Sequence, residues 1–127
     1  MQHSEDIIDK SVLERLGRLG GSELKVKAID QYLEKIPMVM DTACDRGRAG
    51  DLSEVRSAVD FIKSAANSIG ATEVSAFAGR IENAAVLGAQ DLILPFLCQL
   101  NDMLGDAEIW LKREKITLLS ARGMNWH

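Results

Sequence analysis

The sequence predicts an all-α protein, an antiparallel four-helix bundle with an additional short N-terminal helix. Three observations predict it. Apolar residues recur at intervals of three and four along most of the chain, the period of a helix with one buried face. No segment alternates as a half-buried strand would, and the β-branched residues are scattered. Alanine is frequent, and glycine-containing breaks leave only short connections, which suit antiparallel neighbours. The 127 residues, 46% hydrophobic and 27% charged, suit one globular domain over 1–127 with one core.

The first helix is expected from about Lys10 to Leu19. Asp9 is placed as its N-cap, and Ile8 and Leu13 are spaced to close a hydrophobic staple. Gly20-Gly21 ends it. Ser22 caps a second helix that buries Val26, Ile29, Leu33, Ile36, Met40 and Ala43, with a kink at Pro37. "DRGRAGD", residues 45 to 51, is the next break. The third helix, about Leu52 to Ile69, carries the clearest stripe: Leu52, Val55, Val59, Ile62, Ala66 and Ile69. Gly70 stops it.

A fourth helix, about Thr72 to Leu87, buries Val74, Phe77, Ile81 and Ala84 or Ala85. The fifth starts near Asp91 and carries Ile93, Phe96 or Leu97, Leu100, Met103 or Leu104, Ala107 and Leu111. Pro95 is tolerable there only in or near the first turn. The tail "KREKITLLSARGMNWH" either extends that helix or folds back, and its Ile116, Leu118 and Leu119 imply some packing.

Several function classes are excluded early. A net charge of −4 and the lack of a basic stripe give no drive toward nucleic acid. The apolar runs are too short to span a bilayer, and the N-terminus lacks a signal-peptide layout, so a cytoplasmic location is expected. Cys44 and Cys98 occupy apolar-compatible helical positions and are expected as small buried hydrophobes, not a disulfide. His3 and His127 lie at the two ends, and no cluster has metal-ligand spacing. Without a phosphate loop or nucleophile elbow, the expectation is a non-enzyme with no metal and no cofactor.

The stretch "DFIKSAANSIGA", residues 60 to 71, gathers polar residues on one side. On a helical wheel Val59 and Ile62 face the core, so Asp60 and Ser64 point away. Arg56 and Asn67 lie nearby, Lys63 is on the flank, and Phe61 is across the ridge. By spacing alone, Asp60 and Lys63 read as a weak i, i+3 ion pair on a solvated helix surface.

"VDFIKSAANSIGA", Val59 to Ala71, also resembles the third helix of histidine-containing phosphotransfer (HPt) domains. That helix reads as a small residue followed by His-x-Leu-Lys-Gly-Ser-Ala-x-x-Leu-Gly-Ala. Lys63, Ala66, Gly70 and Ala71 match in register, Ile62 and Ile69 are apolar equivalents, and Ala65 is a small one. "IDKSVLERLGRLGG", "YLEKIPMVMDTACDRGRAGDLSEV" and "GRIENAA" resemble the first, second and fourth helices, the last through its Ile81-Glu82 pair. The resemblance covers about residues 6 to 112 and leaves 113–127 as a C-terminal extension.

Two positions depart from the pattern. Asp60 stands where the family carries its phosphorylated histidine, and Ser64 where it carries glycine. The resemblance therefore implies a degenerate member, a pseudo-HPt protein with no catalytic residue. It implies binding to a receiver domain of a response regulator or hybrid histidine kinase, modulating signalling without transferring phosphate. The implied docking residues are Arg56, Asp60, Phe61, Lys63, Ser64 and Asn67. The alternative is a helical scaffold or oligomerisation protein that keeps only the fold.

Overall fold

Asp9 caps the first helix as expected: its Oδ1 accepts from the Ser11 N–H at 3.0 Å and from the Ser11 hydroxyl at 2.7 Å. These two bonds hold the Asp9 carboxyl below its usual 3.8. In the computed structural model, which describes residues 7–122, four helices follow: α1 Lys10–Arg48, α2 Leu52–Ile69, α3 Thr72–Val86 and α4 Gln90–Arg122. No strand occurs among the described residues. α1 is two helical stretches run together. Gly21, at φ 72° and ψ −167°, breaks it where the sequence places the end of the short N-terminal helix. Pro37 lies within α1 without leaving helical dihedrals.

Each later turn closes in one way. Gly50, Gly70 and Gly88 all have positive φ. The N–H of the residue after each glycine reaches the carbonyl five residues back: Asp51 to Arg46, Ala71 to Ala66, Ala89 to Ala84. This is the Schellman closure, which satisfies the helix-end carbonyls. At Gly70 a second constraint applies. Its carbonyl accepts the Asp9 N–H at 2.7 Å, and a Cβ there would lie 2.6 Å from the Asp9 carbonyl oxygen. The turn after α2 thereby anchors the chain entering α1.

The helices pack in a ring: α1 on α2, α2 on α3, α3 on α4, and α4 back on α1. The α2 stripe is buried as predicted at Val55, Val59, Ile62, Ala66 and Ile69, with Leu52 half-buried. Both Ala84 and Ala85 are buried on α3, and α4 turns Leu97 and Leu104 inward rather than Phe96 and Met103. In α1, Val26 and Leu33 are only half-buried, while Tyr32 joins the core. Gly47 lets α1 approach α4 closely, since a Cβ there would meet the Leu97 side chain at 2.9 Å.

Three expectations need correction. Cys98 is exposed and Cys44 only half-buried, because α4 turns Ile93 and Leu97 inward and leaves position 98 outside that stripe. Pro95 is the sixth residue of α4, beyond its first turn. It is tolerated because it and Asp91, whose carbonyl it deprives of a donor, are both exposed. α3 ends at Val86, one residue short of the predicted Leu87. The tail extends α4 instead of folding back: Leu118 is buried, and Lys115 Nζ lies 2.6 Å from Asp30 Oδ1 of α1. No described helix is long and apolar enough to cross a membrane. His3 and His127 lie outside the described residues.

Candidate functional site

α2 places the candidate residues by simple geometry. Asp51 caps it, accepting the Glu54 N–H at 3.2 Å, and the buried stripe fixes its rotation. Arg56, Asp60, Phe61, Ser64 and Asn67 are exposed, and Lys63 is half-exposed on the side facing α3. The wheel located all six correctly. Asp60 and Ser64 form the crest of the ridge, one turn apart.

The ion pair read from spacing is present but secondary. Lys63 Nζ lies 3.7 Å from Asp60 Oδ1 yet only 2.6 Å from Glu82 Oε1 on α3. The bond to Glu82 is the main reason the Lys63 ammonium titrates above its usual 10.5, followed by the Coulomb attraction of Glu82 and then Asp60. Sequence reasoning noted Glu82 only as half of a family-like pair and gave it no role. The available signal was partial: with Ile81 in the core, Glu82 falls at an edge of α3, and only the packing of the helices turns that edge toward α2. Gly79, on the same helix, lies 3.8 Å from Lys63 Cδ when given a Cβ, so the lysine stem runs along α3.

On the opposite flank, Phe61 is 43% exposed and enters the wall of a groove of about 610 Å³ between α1 and α2. Leu16, Leu24, Ala28 and Ala65 give the groove an apolar floor, and Lys27 and Lys35 a basic rim. Phe61 is therefore the edge of a continuous surface, not an isolated exposed ring. Arg56 makes no ion pair with a described residue. The result is a ridge with a carboxylate and a hydroxyl on its crest, a compensated cation on one side and an apolar groove on the other.

Asp60 and Glu82 bring two negative charges to the one positive charge of Lys63. Among the described residues, no group of three or more histidines, cysteines or carboxylates is placed to hold a metal ion. Among the described residues there is no histidine to act as a base for Ser64.

Comparison with known proteins agrees with this fold. Histidine-containing phosphotransfer protein B (HptB) from Pseudomonas aeruginosa PAO1 superposes with a TM-score of 0.83 at 17% sequence identity, covering 87% of this chain and 96% of that one. A search of curated proteins gives no match. The family model of the Hpt domain matches residues 27–110, from the α1 segment after Gly21 through most of α4. With that match spanning most of the bundle, the chain belongs to the Hpt domain family.

Proposed function

We propose that this chain is a phosphorelay signalling protein that docks on a receiver domain through the outer face of α2 and carries no phosphoryl group. One observation carries the reading: the segment matching the Hpt domain, residues 27–110, contains no histidine. Asp60 takes the place of the acceptor at mid-helix. A carboxylate can accept a phosphoryl group, but the charge developing on the transferred oxygens then needs nearby cations. Here the adjacent cation, Lys63, is already held between Glu82 and Asp60.

Docking needs less. The crest presents one fixed negative charge where a phosphohistidine would carry a transient one, and Phe61 leads into an apolar groove with a basic rim. Aromatic anchors of this kind commonly concentrate binding energy at interfaces. Asp60 imitates a phosphoryl group imperfectly, having one charge and fewer acceptor oxygens. Ser64 adds bulk where glycine would admit a partner loop, which favours a partner set different from that of a working relay.

The test is transfer and binding measured together. A receiver labelled on its aspartate should leave this protein unlabelled, while Phe61→Ala should weaken receiver binding about tenfold without unfolding the bundle. Label on the protein sinks the reading. So does receiver binding that ignores Phe61. Loss of the α2 face inside an obligate dimer would favour the scaffold alternative.

A further inference from the structure

A second recess, of about 240 Å³, lies between α1 and α4, away from the docking ridge. Its polar groups are mainly acceptors, and two lack ordinary partners. Tyr32 is only 6% exposed, and its hydroxyl is buried with no described group bonded to it. Buried hydroxyls are usually paired, because an unmet one is costly. Beside it, Pro37 has no N–H to give the Leu33 carbonyl one turn back, and both residues line the recess.

Two carboxylates complete the polar wall. Asp41 comes from α1 and Glu108 from α4. Lys112 Nζ holds Glu108 Oε2 at 2.8 Å, which leaves the other oxygen without a bond from any described residue. Glu108 also acts electrostatically on the Tyr32 hydroxyl, so that end of the ring lies on its side of the seam. No lysine or arginine lines the recess, while Ile36, Met40 and Leu104 give it an apolar floor. Open space lies above Gly105, where an added Cβ would meet nothing within 4 Å.

From the unpaired Tyr32 hydroxyl, the Pro37-released Leu33 carbonyl and the Asp41 and Glu108 carboxylates over an apolar floor, we infer that this recess binds a small alkylammonium or guanidinium compound. Each polar group then has a defined use. Asp41 neutralises the cation, the Glu108 oxygen left by Lys112, the carbonyl and the phenolic oxygen accept its N–H bonds, and the aliphatic floor covers its carbon chain. The volume lies below the roughly 300–1,000 Å³ of pockets for drug-sized ligands, which points to a small diamine or similar compound. Tyr32 and Ile36 also line the groove beside Phe61, so the two sites share a wall, but the inference does not rest on receiver docking and stands if that reading falls.

The probe is 1,4-diaminobutane, titrated into the isotopically labelled full chain and followed by backbone and side-chain NMR shifts. Saturable shifts are expected at Gly105 and the Asn101 side-chain amide, with n-butanol producing none. Tyr32→Phe and Glu108→Gln should each weaken binding by about tenfold, the range for losing a hydrogen bond to a charged group. Gly105→Leu, which projects into the open space, should abolish it while the rest of the spectrum stays folded. Equal shifts with n-butanol, or affinity unchanged in Tyr32→Phe and Gly105→Leu, overturn the assignment. So does binding by a lysine-containing peptide but not by the free amine.

Discussion

The α2–α3 face and the α1–α4 seam share one bundle but treat their polar groups in opposite ways. Across α2 and α3, Lys63 is satisfied by Glu82 and Asp60, and the turn that joins the helices leaves no room at Gly70. Across α1 and α4, a tyrosine hydroxyl is buried unpaired and Gly105 faces open space. The first region is finished by its own contacts, and the proposed function uses its outer surface for docking. The second is unfinished, and what it lacks is something small. Satisfied polar groups make a rigid docking platform, whereas unmet ones mark where a ligand lowers the energy.

The largest expected effect separates the two regions by sign. Gly70→Ala forces a Cβ into a left-handed residue at φ 88° and within 2.6 Å of the Asp9 carbonyl oxygen. Strain of that kind costs about 1–3 kcal/mol, and it should loosen the start of α1 together with the α2–α3 turn. Gly105→Ala sits in the interior of α4 with space around it, so it should instead stabilise by about 0.5–1 kcal/mol. Chemical denaturation of both variants checks the contrast. Equal changes would mean that the seam is packed as tightly as the turn.

A change at the Lys63 bridge is expected to be smaller and to show in its pH dependence. The folded-state pKa of Lys63 is raised above its usual 10.5, chiefly by the bond to Glu82. The bridge therefore contributes fully below 10.5, and its contribution fades as pH rises through the folded value. Glu82→Gln should lower stability slightly at neutral pH and flatten this alkaline loss. The Tyr32 hydroxyl is also raised above its usual 10.0, first by burial and second by Glu108, so it adds a separate loss above pH 10. Denaturation from pH 8 to 11.5 for Glu82→Gln and Tyr32→Phe separates the two. An alkaline limb unchanged in Glu82→Gln would remove the bridge from the α2–α3 platform.

The two regions were unequally legible in the sequence. On α2, a period of three and four fixed which face is buried, and the wheel then placed Asp60, Phe61, Lys63 and Ser64 without further information. Glu82 was not assigned, since pairing across helices depends on the relative rotation and height of α2 and α3, which periodicity within one helix does not encode. The seam was less legible still. Tyr32 fits an apolar stripe as well as a surface position, and nothing local says that its hydroxyl ends without a partner. Cys98 failed for a related reason: apolar-compatible spacing tolerates either edge of a stripe, and the packing of Leu97 against Gly47 selected one. Pro37 announced a missing donor but not that the carbonyl it strands would border a recess.

The smallest effect is the most discriminating. Removing a tyrosine hydroxyl that is hydrogen-bonded usually costs about 1 kcal/mol, because a favourable contact disappears. At Tyr32 no described group bonds the oxygen, so Tyr32→Phe removes a desolvated polar atom and keeps the ring that fills the core. The ligand-free variant should be at least as stable as the parent at neutral pH. The same change at a satisfied position of the platform has no such freedom: cutting Lys63 to methionine leaves Glu82 facing Asp60 with no cation between them. A clear loss of stability in ligand-free Tyr32→Phe, measured by denaturant midpoint at pH 7, would show that the hydroxyl is already paired, and the contrast between a finished face and an unfinished seam would disappear.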